Sequence, residues 1–304
     1  MSTPAWLWIV LTLIASIGQV ARNAMQRELT SKLGTVGATH VRFLFGLPFS
    51  LLFIFVVLLV AQASFPPVTL KAQLWVAGGA MAQIIATALM LAAMKERSFV
   101  VTTALIKVEP VWVALFGLVF LGDRLTPGLA IAILIATAGV SVTSWPKRGA
   151  AGKIEWGVRP IALGLLAGAM FGVAAVAFRG GILEVRAPVD PGFVVAASTV
   201  LAIALAIQTV VLTGFLVLFD RPVLAAIFRQ WRPSMLAGFT GALASQFWFL
   251  AFAIESAARV RTLALVEVLM AQIVSRNLFR QSLIGRETIG IVLIVIGVLV
   301  LLNL

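Results

Sequence analysis

Apolar segments of about twenty residues follow one another along the whole chain, with only short polar stretches between them. A helix of about 20 apolar residues crosses the hydrocarbon core of a bilayer, so each segment is predicted to be a transmembrane helix. The pattern predicts ten spans, at residues 5–25, 35–61, 73–94, 98–121, 128–144, 160–178, 193–219, 233–254, 258–279 and 288–302. A polar run at 146–158 is predicted to link a first repeat, 1–145, to a second, 159–304.

The fourth predicted span contains two ionisable residues and a proline, Lys107, Glu109 and Pro110. Ionisable groups at bilayer depth cost roughly 2.5 to 3.5 kcal/mol each on insertion scales, so they need a partner or a water-filled cavity. Because Pro110 has no backbone N–H, the carbonyl of Ile106 loses its helical partner and a kink is predicted there.

A shift of 158 residues relates the two halves of the chain. It aligns Glu109 with Glu267, and four further residues recur at the same shift: Ser98, Val108, Leu125 and Gly139 fall on Ser256, Val266, Leu283 and Gly297. One glutamate per half in the same register indicates two copies of one unit. The proline does not recur, because Val268 stands in its place, so only the fourth span is expected to be kinked.

The charged residues admit more than one role. Lys107 and Glu109 point about 200° apart on a helix, so they do not pair with each other. Either Lys107 meets Glu267 between the halves while Glu109 faces a cavity, or the two glutamates have the opposite roles. Burial favours the neutral form of a carboxyl group, which suits proton exchange, and Lys107 could hold a substrate carboxylate. The alternative is an ion pair that only fixes packing.

Two helical stripes and one aromatic cluster predict a substrate-binding face. The first span carries Thr12, Ser16, Gln19, Asn23 and Gln26 at steps of three and four, which places them on one face. Gln83, Thr87 and Met90 share a face of the third span, and the 158-residue shift brings Ser245 and Trp248 to the register of Thr87 and Met90. Polar groups would take the polar ends of a substrate, and Met90 and Trp248 its apolar part. A lipid-facing position for Trp248 is the alternative.

Small residues predict a close helix contact, and basic residues predict the orientation of the chain in the membrane. Gly164, Gly168 and Gly172 recur at steps of four in the sixth span, the pattern that lets helix backbones approach closely. Sixteen basic residues, Arg22 and Arg42 among them, lie in or beside the odd-numbered connections and six, including Arg261, beside the even-numbered ones. The positive-inside rule then puts both termini outside the cytoplasm. Arg42 is interpreted as an interface anchor and His40 as a residue at the membrane edge.

The amino-acid composition excludes several other classes of protein. Hydrophobic residues make up 62% and charged residues 11%, too little charge for a soluble surface. The net charge of +12 sits at the ends of apolar segments, so we expect a lipid bilayer as partner and no nucleic acid. With no cysteine, no tyrosine and one histidine, an enzyme acting on lipid lacks a nucleophile and base. We expect no catalytic site, metal or cofactor.

The residues from Glu109 and Pro110 to the ending Leu121-Gly122-Asp123-Arg124-Leu125-Thr126, together with Arg42-Phe43, carry a family resemblance. The chain resembles EamA-type bacterial members of the drug/metabolite transporter superfamily. The resemblance implies an all-α integral membrane fold, with ten transmembrane helices in two inverted five-helix repeats around a central cavity, and alternating access in a bacterial inner membrane. It also implies cytoplasmic termini for many members, opposite to the charge bias.

The function expected from the resemblance is secondary export of small metabolites, most closely amino acids with aromatic or other hydrophobic side chains. The alternative is a multidrug or organic-cation exporter coupled to protons, with the glutamates as cation sites. The expected partners are a small-molecule substrate, protons and the bilayer, and the expected state is a monomer.

Overall fold

The structure is a computed structural model that describes residues 4–96, 102, 105–143, 158–187, 190–270 and 285–304. In these residues the regular structure is helical and no strand occurs, so the predicted all-α fold class is confirmed. The predicted linker at 146–158 lies outside the described residues, except that its last residue begins a helix.

Eleven helices are numbered here in chain order. They are α1 Leu7–Leu44, α2 Leu47–Ala61, α3 Leu70–Glu96, α4 Glu109–Phe116, α5 Pro127–Thr143, α6 Val158–Arg186, α7 Phe193–Phe219, α8 Arg221–Arg229, α9 Trp231–Ile254, α10 Ala257–Leu263 and α11 Gly285–Leu302. Leu7–Ala61 and four single helices are long and apolar enough to cross a membrane, and three shorter apolar helices lie at Glu109–Leu121, Pro127–Thr143 and Thr288–Leu302. The chain is a multi-pass membrane protein. All of the predicted spans except the ninth lie on these helices, and the ninth span is described only as far as residue 270.

The first two predicted spans meet at a sharp kink inside α1. Gly34, at φ 71° and ψ 177°, has non-helical backbone angles, so helix ends before it and begins again after it. That conformation is open essentially to glycine alone. A second interruption lies at Phe45 and Gly46, and α2 begins with Pro48 in its first turn. The second predicted span therefore starts at residue 35, as predicted, but is interrupted once before residue 61.

The chain forms two compact units. Unit 1 contains Met1–Ile84 and Ala174–Ser256, and unit 2 contains Ile85–Val173 and Ala257–Leu304. α3 and α6 each contribute to both units, and each unit contains segments of both predicted repeats. Within unit 1, α1 packs on α9 at Gly18, where an added Cβ would lie 3.0 Å from the Cβ of Ala244.

Unit 2 has a tight helix pair at its core, formed by α5 and α11. A Cβ on Gly139 would lie 2.7 Å from the carbonyl oxygen of Gly290, and a Cβ on Gly297 would lie 2.6 Å from the backbone nitrogen of Ala136. Distances below 3.0 Å leave no room for a side chain, so backbone packs directly on backbone. Gly139 and Gly297 are equivalent under the 158-residue shift, so both copies use the same glycine for the same contact.

The Leu-Gly-Asp-Arg-Leu-Thr motif forms the turn between α4 and α5. A π-helical turn at Gly117–Leu121 ends at Gly122, whose φ of 67° is the left-handed conformation that favours glycine. Thr126 then caps α5, since its hydroxyl accepts the backbone N–H of Leu129 at 3.2 Å. The motif is thus explained by turn and capping geometry.

Candidate functional site

Unit 2 contains a buried charge cluster, built on a break in the fourth span. Residues 105–106 are helical, Lys107 and Val108 form a turn, and α4 begins at Glu109 with Pro110 as its second residue. The backbone N–H of Val111 bonds to Val108 O at 3.1 Å, a three-residue step that tightens the new helix start. The break predicted from Pro110 is confirmed.

The ninth span breaks at the equivalent place without a proline. α10 ends at Leu263, residues 264–265 form a turn, and helix resumes at residues 266–270. Three-residue bonds again carry the chain through, from Leu265 N to Thr262 O at 3.1 Å and from Glu267 N to Ala264 O at 3.0 Å. The expectation that only the fourth span is interrupted is therefore wrong. Proline enforces a break by removing a donor, but local 3₁₀ bonding makes the same break where every donor is present.

The breaks place both glutamates at helix starts. Glu109 is the first residue of α4, and Glu267 is the second residue of the helix that resumes at 266. Backbone N–H groups of a first turn have no partner inside the helix, and the helix dipole favours negative charge there. Both carboxylates therefore gain a favourable electrostatic position from the interruption of their own spans.

Two ion pairs compensate these carboxylates. Lys107 Nζ lies 2.6 Å from Glu267 Oε2, with 7% and 4% of the two side chains exposed. Arg261 Nε lies 3.1 Å from Glu109 Oε1, with 8% and 6% exposed. Each pair joins a cation of one predicted repeat to the glutamate of the other. The cluster contains two positive and two negative groups, so its formal charge cancels.

Arg261 was missed as a site residue because it was counted with the basic residues beside the even-numbered connections. The 158-residue shift offers no hint, since Thr103 stands at the equivalent position. A signal was nevertheless present. Arg261 lies inside an apolar run, as Lys107 does, and the same insertion cost required a partner for it.

The glycines of α6 hold the broken fourth span closely. A Cβ on Gly168 would lie 2.8 Å from Ile106 O, and one on Gly164 would lie 2.7 Å from the Cβ of Leu105. The third glycine, Gly172, lies against Trp112 in the same way, at 3.0 Å. The close approach predicted from the step of four is confirmed, and the carbonyl that Pro110 deprives of a donor lies directly over Gly168.

Unit 1 contains a polar and aromatic face formed by α1 and α9. The Nε1 atom of Trp248 donates to Gln19 Oε1 at 3.0 Å, and the indole stacks on Phe252 with ring centroids 6.2 Å apart. Trp248 is 3% exposed, so the lipid-facing alternative is wrong. On the α1 stripe, Gln19 and Asn23 are half-buried, and the three other members are fully buried: Thr12, Ser16 and Gln26.

Two arginines of α1 lie in this unit and correct the interpretation of both as flanking charges. Arg22 and Arg42 are 2% and 3% exposed. Both pack on Gly241 of α9, where an added Cβ would lie 3.3 Å from Arg22 Cδ and 3.5 Å from Arg42 Cγ. Arg22 donates from Nε and Nη2 to Asn23 Oδ1, at 3.2 and 2.9 Å. Arg22 lies before and Arg42 after the kink at Gly34, and both side chains are buried against α9.

The remaining predicted residues are divided between the units. In unit 1, Gln83 Oε1 accepts from Gln208 Nε2 at 2.8 Å, and Ser245 is buried on α9. Thr87, Met90 and Lys107 belong to unit 2. His40 is fully buried in unit 1, with its Nε2 atom 3.0 Å from Thr213 Oγ1. Within the described residues no group of three or more histidine, aspartate or glutamate side chains is arranged to hold a metal.

Comparison with known proteins agrees with this geometry. Residues 6–145 match the EamA-like transporter family. This segment, somewhat less than half of the chain, is similar to an EamA-like transporter domain. No curated protein sequence matches the chain. One crystal structure is similar over 96% of this chain and 98% of its own, with a TM-score of 0.66 and 18% sequence identity. At that identity the likeness shows the fold alone, and it extends over both predicted repeats.

Proposed function

We propose that the chain is a secondary active transporter of the bacterial inner membrane. It exports amino acids with aromatic or other hydrophobic side chains by alternating access, in two inverted five-helix repeats around a central cavity. The match of residues 6–145 to the EamA-like transporter family supports membrane transport as the general activity. The observation that carries the substrate class is the contact between Gln19 and Trp248, which joins polar groups to an aromatic surface on one face.

Each part of an amino acid has a proposed place. Within unit 1, Gln19, Asn23, Gln83 and Ser245 offer amide and hydroxyl groups to its charged ends, and Trp248 contacts its apolar side chain. Aromatic and apolar walls with a few fixed polar groups are usual for small-molecule sites. Lys107 is no longer assigned to the substrate carboxylate, because Glu267 lies 2.6 Å from its ammonium.

The charge cluster of unit 2 is proposed to couple transport to protons. Protonation of Glu267 or Glu109 would remove the attraction to Lys107 or Arg261, and a buried ion pair that loses one charge is strongly destabilised. The change in protonation would thereby favour one conformation of the two broken spans. The competing interpretation is that the pairs only fix packing.

Three neutralised variants test this coupling: Lys107→Ala, Glu109→Gln and Glu267→Gln, each purified and shown to be folded. The proposal expects a lower transport rate and a changed pH dependence. If all three transport at the normal rate with the normal pH dependence, the cluster has no part in coupling. Glu184→Gln is a matched control, since Glu184 pairs with Lys71, a side chain that is 70% exposed.

The organic-cation alternative places cations on the two glutamates. Each glutamate already has a basic side chain within 3.1 Å. The positive charge of that side chain neutralises the carboxylate that a cationic drug would need. Displacing either partner would leave a buried Lys or Arg without its counterion, at a cost of several kcal/mol. The geometry therefore favours a substrate without net positive charge.

Counterflow in proteoliposomes tests the function. Purified protein is reconstituted with an internal pool of unlabelled phenylalanine, leucine, glutamate or tetraphenylphosphonium, and exchange with the same labelled compound outside is followed. We expect exchange of phenylalanine and leucine above protein-free liposomes. Exchange of tetraphenylphosphonium alone would support the cation exporter, and exchange of none of the four compounds would overturn the proposal.

A further inference from the structure

Arg22 lies at the polar and aromatic face of unit 1, one residue from Asn23 and three from Gln19. It was not predicted as a binding residue. Its guanidinium is directed along the face, because both Nε and Nη2 donate to the side-chain oxygen of Asn23. Asn23 in turn is half-buried, whereas Arg22 is 2% exposed. Asn23 is therefore the more exposed partner of a buried cation.

The contact between these two residues has the geometry of carboxylate recognition. Nε and Nη2 form the edge of the guanidinium that binds a carboxylate through two parallel hydrogen bonds. Here a single amide oxygen, Asn23 Oδ1, accepts both bonds at 3.2 and 2.9 Å. A carboxylate in the same place would offer one oxygen to each donor and would place a negative charge opposite the guanidinium, which strengthens both bonds.

A second buried cation lies beside Arg22. The aliphatic part of Arg42 packs on the same glycine as that of Arg22, with contacts of 3.5 and 3.3 Å to the position of a Gly241 Cβ. Arg42 is 3% exposed, so little water screens its charge. The aliphatic parts of two buried arginines therefore lie side by side on α9. Gly241 keeps the two side chains against α9, where a larger residue would push them apart.

We propose that Arg22 binds the carboxylate of the transported amino acid, in the place that the Asn23 side-chain oxygen now takes. This assignment rests on the proposed function and adds the residue that selects a carboxylate-bearing substrate. Asn23 acts as a stand-in that holds the guanidinium fork ready while the site is empty and leaves it when substrate binds. Trp248, fixed by its bond to Gln19 on the same face, contacts the side chain of the substrate.

Two ligands that differ in one group test whether Arg22 binds the substrate carboxylate. Phenylalanine and phenethylamine share the ring and the amine, but only phenylalanine has a carboxylate. Their half-inhibitory concentrations are measured against counterflow of labelled phenylalanine, and binding of each to the purified protein is measured by isothermal titration calorimetry. For Arg22→Gln we expect the value for phenylalanine to rise about tenfold or more, and the value for phenethylamine to stay the same or fall, because its ammonium group loses a repelling cation.

Substitutions at Asn23 give a test that keeps the arginine. In Asn23→Asp the new carboxylate occupies the guanidinium fork permanently, so phenylalanine binding should weaken about tenfold or more. In Asn23→Ala the fork is released, so phenylalanine binding should be equal or tighter. Arg27→Gln is the matched control, because Arg27 is an exposed arginine of the same helix, and it should change neither ligand.

The outcomes distinguish this inference from the proposed function. If wild-type protein exchanges phenylalanine and Arg22→Gln binds it with unchanged affinity, the assignment of Arg22 is wrong and the transport function stands. The same holds if Arg22→Gln weakens both ligands equally, or if Asn23→Asp and Asn23→Ala behave alike. If wild-type protein neither binds nor exchanges phenylalanine, the proposed function fails and this inference fails with it.

Discussion

Removal of one charge from the Lys107–Glu267 pair should be far more harmful than removal of both. The two charged atoms lie 2.6 Å apart, and at an effective dielectric constant of about 20 their attraction is about 6 kcal/mol before desolvation is subtracted. Lys107→Met leaves the carboxylate of Glu267 buried without this counterion, and the expected loss of unfolding free energy is about 3 to 5 kcal/mol. Glu267→Leu leaves the ammonium in the same situation and should have a similar effect.

The double variant Lys107→Met/Glu267→Leu should recover most of this loss. Apolar residues of similar volume require no desolvation of charge, and such replacements of buried pairs are often neutral or stabilising. The coupling energy between the two positions should therefore be several kcal/mol. Lys71 and Glu184 provide the control pair, since 70% of the Lys71 side chain is exposed and an exposed pair contributes about 1 kcal/mol or less.

The assay is equilibrium unfolding in mixed micelles, with helicity followed by circular dichroism as the fraction of denaturing detergent is raised. The three variants and the control pair are compared with the wild type under one condition. Single substitutions that each lose less than about 1 kcal/mol, or a double variant whose loss equals the sum of the singles, would refute the conclusion that this is a tightly coupled buried pair.

Three further predictions concern backbone and pH. Gly168→Ala should destabilise the protein by about 1 to 3 kcal/mol in the same assay, because its Cβ would lie 2.8 Å from a backbone oxygen. Gly214→Ala is the control, since nothing lies within 4 Å of its Cβ position, and it should be neutral or stabilising. Equal effects of the two substitutions would contradict this prediction. Gly34→Ala should cost about 1 to 3 kcal/mol through its φ of 71° alone, and an unchanged melting temperature would count against it. The hydrogen bond from Arg186 lowers the pKa of Asp190, so the contribution of this carboxylate to stability is present above its ordinary pKa and is lost as pH falls through the lowered value. Asp190→Asn should therefore reduce stability by less than about 1 kcal/mol at pH 7. A difference between variant and wild type that persists in strong acid would contradict this assignment.

The sequence predicted those features that depend on local covalent structure or on spacing along one helix. The absence of an N–H on Pro110 predicted the break in the fourth span, and the step of four from Gly164 to Gly172 predicted a close helix contact. The equivalent break at residues 264–265 was not predictable in this way, because it uses ordinary residues in three-residue hydrogen bonds. The sequence shows where a backbone hydrogen-bond donor is missing. It does not show where a chain with all its donors exchanges four-residue helical bonds for three-residue ones.

The candidate site shows the same division. The α1 stripe correctly placed Gln19 on the face that meets Trp248, since that face follows from helical spacing alone. Arg22 was read as a flanking charge because the apolar run ends near Met25. The polar residues 26–33 are mostly good helix formers, so α1 continues through them and keeps Arg22 within the bundle. The partner of Glu109, Arg261, depends on a contact between distant segments that no local pattern contains.

The central claim, proton-coupled transport of an amino acid, is tested most directly by uptake of labelled phenylalanine into proteoliposomes with an acidic lumen. Exchange of internal protons for external substrate should drive phenylalanine above its external concentration, and the accumulation should collapse when the pH gradient is dissipated. Reconstituted Glu109→Gln and Glu267→Gln proteins should equilibrate phenylalanine without concentrating it. Uptake no greater than in protein-free liposomes, with or without the gradient, would contradict the account.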